Sequence, residues 1–161
     1  MATAQFSSVN RSKKNAAIVQ RALHILEQEM RHYGVTLDSP QDVRDYLRLQ
    51  LGSLDYEVFA CLFLNTQNQV IECREMFRGS IAQTSVYPRE IVLAALQANA
   101  ASAIFAHNHP CGSAEPSIAD KTLTKSLVDA LKCVDVQVLD HFIIAPKTTF
   151  SFFECGLMRT L

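Results

Sequence analysis

The chain is 161 residues long, 48% apolar and 19% charged, with fifteen basic against sixteen acidic side chains and a formal net charge of −1. One domain is the expectation at this length, and it is large enough to bury roughly two-thirds of the surface that its unfolded chain exposes. Five glycines and five prolines exclude collagen-like and low-complexity chains, and the balanced charge gives no support to a sequence-blind nucleic-acid coat.

The charge is unevenly placed. Residues 1–26 carry Arg11, Lys13, Lys14 and Arg21 and no acid, a surplus of +4 that leaves −5 for the remainder. Such a start reads as a solvated arm, with an interaction tail as the sharper alternative. The five cysteines (Cys61, Cys73, Cys111, Cys133, Cys155) are odd in number and form no C-x-x-C pair. Two of them lie within apolar runs and read as small core residues. No secretory apolar region follows Met1, and no stretch approaches the ~20 apolar residues that span a bilayer. A reduced, cytoplasmic location without membrane contact is expected.

From Ser12 an apolar seam at Val19, Leu23, Leu26, Met30 and Tyr33 has helical spacing, and Gly34 is a natural stop. The seam either packs on its own domain or joins two copies as a homodimer. A second helix is marked by Ser39 as cap, Pro40 at the first helical position and Asp42 in the first turn. Val43 and Leu47 face inward in it, and Gly52 closes it. Val58–Leu64 is a continuous apolar run ending at the turn Asn65–Asn68, hence a buried strand; Val70–Phe77 is its more polar hairpin partner, nearer an edge.

A helix opens at Pro88 and runs to about Ala100, and Ser102–Ala106 is a short strand that delivers the chain into His107. The next helix begins near Ser117, with Leu123, Leu127, Leu131 and Val134 on one face. Val136 and Val138 alternate with polar residues, while Phe142–Ala145 and Thr149–Phe153 read as two further strands around Pro146. Several strand pairs are joined too tightly to be parallel. The fold class is therefore α/β, with a mixed central β-sheet flanked by helices.

The chemistry concentrates between His107 and Asp120. His107 and His109 are two apart, so both imidazoles leave an extended segment on the same side and can take adjacent corners of a tetrahedral site. Pro110, Gly112 and Pro116 shape the loop that follows, and Asp120 falls in the first turn of the next helix. Two histidines and a carboxylate suit Zn2+, with the fourth position open to water as a catalytic site requires. The plainer alternatives are an H-x-H pair without metal, Ser117-x-x-Asp120 as a helix capping box, and Cys111 as a small loop residue rather than a soft ligand.

H-x-H-P, then Ser117, then Asp120 resembles the JAMM (MPN-plus) metalloprotease signature, in which H-x-H is followed by ten residues and Asp. Pro88–Ile91, Asn99–Ile104, His107–Gly112, Glu115–Ser117 and Leu139–Ile143 resemble, in order, motifs of the RadC-like branch of that family, over about residues 39–161. The resemblance implies a JAMM/MPN (cytidine-deaminase-like) architecture, with 39–161 as the metallohydrolase domain and 1–38 as an extension carrying one helix. It implies one zinc per chain on His107, His109 and Asp120, and Ser117 near the metal stabilising an oxyanion. Glu57, at the head of the buried strand, matches the family's general base; Asp55 competes with it but fits the motif less well. His141 matches a histidine of the branch and is expected in the core or behind the ligands. Two departures stand out: Cys111 takes a position where a small residue is common, and the N-terminal helical module of longer RadC proteins, a type associated with DNA binding, does not fit into about 38 residues.

The expected function is a zinc-dependent hydrolase that cleaves peptide or isopeptide bonds of a protein or peptide substrate with metal-activated water. The alternative is a DNA-repair or mobile-element accessory protein that binds nucleic acid, to which only the basic arm points. Intact ligands argue against a metal-free interaction domain. A zinc nucleoside deaminase would need H-x-E with P-C-x-x-C, and neither occurs. Residues 78–88 and the surroundings of Cys111 are expected to shape the substrate groove.

Overall fold

The computed structural model describes residues 14–25, 37, 39–79, 86–110 and 112–160. Residues 14–25 are helical (α1), with Leu23 buried and Val19 half-buried as the seam requires. Leu26, Met30, Tyr33 and Gly34 lie outside the described residues. The second helix, α2 (Pro40–Leu51), has the expected start: Ser39 Oγ accepts from the Asp42 N–H at 3.2 Å, and Asp42 Oδ2 accepts from the Ser39 N–H at 3.0 Å. It ends at Gly52, whose φ of −70° any residue can adopt. Glycine is needed there for space instead, since a Cβ would stand 2.5 Å from the Arg48 carbonyl oxygen.

Five strands form one sheet in the order β2-β1-β3-β4-β5: β1 (Val58–Leu64), β2 (Val70–Arg78), β3 (Ser102–Asn108), β4 (Gln137–Ile144) and β5 (Thr149–Ser151). The tight β1–β2 and β4–β5 connections make antiparallel pairs, and β1 is antiparallel to β3. Between β3 and β4 the chain crosses over through α4 (Ile118–Lys132), which makes that pair parallel and the sheet mixed.

Alternation along the strands sorts the core into two layers. Val58, Ala60, Leu62 and Leu64 of β1, with Ile104, Ala106, Phe142 and Ile144, pack against Val43, Tyr46, Leu47 and Leu51 of α2. Phe59, Cys61 and Phe63, with Ala103 and Phe105, face Ile91, Ala94 and Ala95 of α3 (Pro88–Gln97) and Leu127 and Leu131 of α4. A strand covered on both faces has no polar positions, which is why β1 reads as an unbroken apolar run. Of the four described cysteines, Cys61 is buried, Cys73 half-buried, and Cys133 and Cys155 exposed.

Several boundaries differ from the sequence expectation, among them the end of β3, which runs through His107 to Asn108 rather than stopping at Ala106. Helix α3 stops at Gln97 rather than near Ala100, because Asn99 takes φ +51° and the Ala100 N–H turns back to the Ala95 carbonyl at 3.0 Å. The alternating stretch at Val138 and the run from Phe142 belong to one strand, Gln137–Ile144: the register steps from Ala103↔Val138 to Ile104↔Asp140, so Leu139 is an extra residue that breaks the period-two pattern. The last strand, β5, ends at Ser151, where the Asp140 carboxylate accepts from Ser151 Oγ at 2.6 Å and from the Phe153 N–H at 2.8 Å and draws the chain into a turn. No helix among the described residues is long and apolar enough to cross a membrane.

Candidate metal centre

The sheet brings three chain segments to one end. Strand β3 leaves it at His107 and Asn108, α4 starts there at Ser117, and β1 enters there, since Phe59 pairs with His107. His107 continues the alternate positions of Ala103 and Phe105 and lies on the α4 side, fully buried. His109 follows β3, held by its N–H to the Ile144 carbonyl at 2.8 Å. The loop after it is anchored by buried Ala114 and Pro116, and its Ser113 carbonyl lies 2.7 Å from His109 Nδ1. A carbonyl only accepts, so Nδ1 carries a proton and a neutral His109 ring leaves Nε2 bare.

Asp120 does two jobs with its two oxygens. Oδ2 closes the helix cap, accepting from the Ser117 N–H at 2.8 Å and from Ser117 Oγ at 2.6 Å, while the Asp120 N–H donates to Ser117 Oγ at 3.1 Å. Oδ1 lies 3.4 Å from His107 Nε2. The capping box and the ligand set are therefore compatible, because each uses a different oxygen. Ser117 directs its hydroxyl proton to Asp120 Oδ2, so a role at an oxyanion requires that hydroxyl to rotate.

His107 Nε2 and His109 Nε2 are 3.1 Å apart, and one ligand atom from each of His107, His109 and Asp120 falls within 4.8 Å of the others. A tetrahedral ion with bonds of about 2.0–2.1 Å has ligand edges of about 3.3 Å. Burial pushes the His107 pKa down to about 4; the Asp120 carboxylate opposes that shift and His109 adds to it. The ring is thus neutral at neutral pH. Bare nitrogens meeting a carboxylate oxygen concentrate electron density at one point, and a cation relieves it. The three residues fit a divalent metal ion in donor type and spacing.

Glu57 and His109 line the same cleft, of ≈620 Å³, together with Asp55, Tyr56, Gly79, Pro110 and Gly112. Asp55 is exposed and Glu57 half-buried. The backbone at Glu57 is fastened on both sides. Its carbonyl accepts from the Gly79 N–H at 2.9 Å, the Val58 N–H donates to Asn108 Oδ1 at 2.7 Å, and Asn108 Nδ2 donates to the Tyr56 carbonyl at 2.9 Å. Of the other predicted groove elements, residues 80–85 and Cys111 lie outside the described residues.

Behind the ligands, His107 Nδ1 lies 2.8 Å from Nε2 of His141, which is fully buried, and His141 Nδ1 lies 2.7 Å from Thr124 Oγ1. Burial, then His107 and His109, hold the His141 pKa well below its ordinary value. Asn108 and Thr124 were not apparent from motifs. Asn108 sits between the histidines, so alternation turns it to the other side, and Thr124 is one turn after Asp120 on the same helical face; those two periodicities are the signals that point to them.

Residues 37–157 match the sequence pattern of the RadC-like JAB domain. The chain is 56% identical over 140 residues to a UPF0758 protein of Thiobacillus denitrificans, covering 87% of this chain and 62% of that one. It is 60% identical over 121 residues to a UPF0758 protein of Leptothrix cholodnii, covering 75% and 54%. It therefore spans less than two-thirds of the length of these relatives. With the match covering most of the chain and the His, His and Asp of its signature drawn together in space, the chain belongs to the RadC-like JAB domain family.

Proposed function

We propose that the chain is a zinc-dependent hydrolase that cleaves a peptide or isopeptide bond, with residues 39–161 as the catalytic domain and one zinc per chain on His107, His109 and Asp120. The observation that carries this is the convergence of His107 Nε2, His109 Nε2 and Asp120 Oδ1 beside a cleft that Glu57 also lines. Zinc bound there supplies a Lewis acid and lowers the pKa of water toward about 7. Glu57 takes the proton of the attacking water and delivers it to the leaving amine nitrogen. Asn108 and the Gly79 N–H keep its backbone in place at the cleft. Ser117, once its hydroxyl leaves Asp120 Oδ2, donates to the oxyanion, while the Ser117 N–H keeps Asp120 oriented.

The substrate in this reading is a protein or peptide, and the enzyme works in the cytoplasm. Metal analysis of the purified protein, with cleavage of a peptide and isopeptide library by wild type and Glu57→Ala, tests it. One zinc per chain in both, with cleavage lost only in the variant, supports the assignment. Absence of bound zinc overturns the metal, and unchanged cleavage by Glu57→Ala overturns the base. The nucleic-acid reading rests on the basic N-terminal residues, two of which, Lys14 and Arg21, are in α1. Salt-dependent DNA binding that disappears on removing residues 1–26 would favour it.

A further inference from the structure

We propose that Thr124 and His141 are positioning residues that set the tautomer of His107, through a chain of hydrogen bonds whose direction is fixed at the backbone carbonyl of Asp120. The proposal deepens the metal reading above, on which its consequence for metal affinity rests.

The direction follows from counting protons. Thr124 Oγ1 and the Asp120 carbonyl oxygen are 2.5 Å apart, a separation two oxygens keep only with a proton between them. The carbonyl has none, so the threonine hydroxyl donates its single proton there and has only lone pairs left. His141 Nδ1, 2.7 Å from the same Oγ1, must then be the donor in that contact. A neutral imidazole with its proton on Nδ1 has a bare Nε2. That bare Nε2 is 2.8 Å from His107 Nδ1, so His107 in turn carries its proton on Nδ1. The lone pair of His107 Nε2 is left facing His109 Nε2 and Asp120 Oδ1.

Reversing the chain would put a proton on His107 Nε2 and block the site. The reversed order also leaves two oxygens at 2.5 Å with no proton between them, and that contact rules it out. The ring that carries the message cannot turn freely. His141 stacks on Phe152 at 4.9 Å between centroids and meets Phe59 and Phe105 edge-on at 5.6 Å and 5.9 Å. Asp120 therefore enters the site twice: its side chain offers Oδ1, and its carbonyl, through Thr124 one turn later on α4, sets the proton order of a histidine on β3. An outer hydrogen-bond partner of a ligating histidine commonly changes metal affinity by about 10–100-fold when removed.

The test uses the whole chain in three forms: wild type, Thr124→Val, which keeps the shape and removes the hydroxyl, and Thr124→Ser, which restores it. Long-range nitrogen–proton NMR correlations of the histidine rings, recorded on metal-free protein above the titration range of ordinary histidine, report each tautomer directly. Wild type and Thr124→Ser are expected to hold His107 as the Nδ1–H form. Thr124→Val is expected to show a mixture of both forms and to bind zinc about 10–100-fold more weakly in titrations with zinc chloride. An Nε2–H form in wild type, or an unmixed Nδ1–H form in Thr124→Val, overturns the relay. If wild type takes up no zinc while the tautomers behave as expected, the relay stands and the metal reading falls. The wild-type spectrum needs no variant, so a folding defect in Thr124→Val leaves the test intact.

Discussion

Asn108 holds the peptide groups on either side of Glu57, accepting from the Val58 N–H at 2.7 Å and donating to the Tyr56 carbonyl at 2.9 Å. Both ends of one buried amide are thus committed to the segment that presents a carboxylate to the cleft. The histidines on either side of Asn108 in the chain turn the opposite way, into the metal centre. One tripeptide, His107-Asn108-His109, therefore supplies two of the candidate metal ligands with its outer residues and fixes the backbone of Glu57, the proposed base, with its middle one.

Replacing Asn108 by Ala leaves a buried N–H and a carbonyl without their partner, each costing about 1–3 kcal/mol. The expected result is a loss of stability of about 2–6 kcal/mol, with metal content unchanged and the Val58 amide exchanging faster with solvent. Denaturant unfolding, metal analysis and hydrogen exchange check it. Loss of metal in a folded Asn108→Ala protein would contradict the separation of roles.

Asp120 and Ser117 separate by the oxygen each uses. Asp120→Ala removes Oδ1 together with the Oδ2 half of the capping box, so zinc binding and the zinc-induced rise in melting temperature both disappear, while the Ser117 hydroxyl still accepts from the backbone N–H of residue 120. Ser117→Ala lowers stability by about 1 kcal/mol through the lost cap but keeps the metal. In proteins that bind zinc, free ion at a hundredfold excess over Kd stabilises by about 2.7 kcal/mol. A thermal melt with and without zinc distinguishes the two variants.

The metal-free protein should be acid-sensitive in a defined window. The folded pKa of His107 is about 4 against 6.5 for an ordinary histidine, and that of His141 is also well below the ordinary value. Between those values the unfolded chain binds protons that the folded chain excludes, so stability is fully present above the ordinary histidine pKa and is lost as pH falls toward about 4. His107 alone accounts for on the order of 3 kcal/mol. Asp140, whose carboxyl is raised by burial, works against the trend, because the folded protein takes up that proton before the unfolded chain does as pH falls. Unfolding midpoints measured against pH in the presence of a chelator report the slope; a flat profile across the window contradicts it.

At the C-terminal end of α2, Gly52→Ala tests packing alone. The backbone there suits any residue, but the new Cβ meets the Arg48 carbonyl at 2.5 Å. Relieving that overlap is expected to cost about 1–3 kcal/mol, read as a lower unfolding midpoint with zinc binding unchanged.

Much of this was legible in the sequence, because it depends on spacing within one element. The Ser39-Pro40-x-Asp42 start of α2, the unbroken burial of Val58–Leu64, and the placing of His107 and His109 on one side all follow from the 3.6- and 2-residue periods of the backbone. The extent of β4 was not legible, since the bulge at Leu139 breaks the period that would announce it. The end of α3 depends on a single left-handed residue, Asn99.

By itself the sequence determined the family, the two-faced strands, the helix caps and the three residues that converge as metal-ligand candidates. Only the tertiary structure decided what stands around them. It placed Glu57 in the cleft of His109, and it linked Thr124 of α4, His141 of β4 and His107 of β3 into one hydrogen-bond chain. These contacts join segments up to about fifty residues apart. They exist only where strand register and the layer of α3 and α4 bring the side chains together, and no local period encodes that meeting.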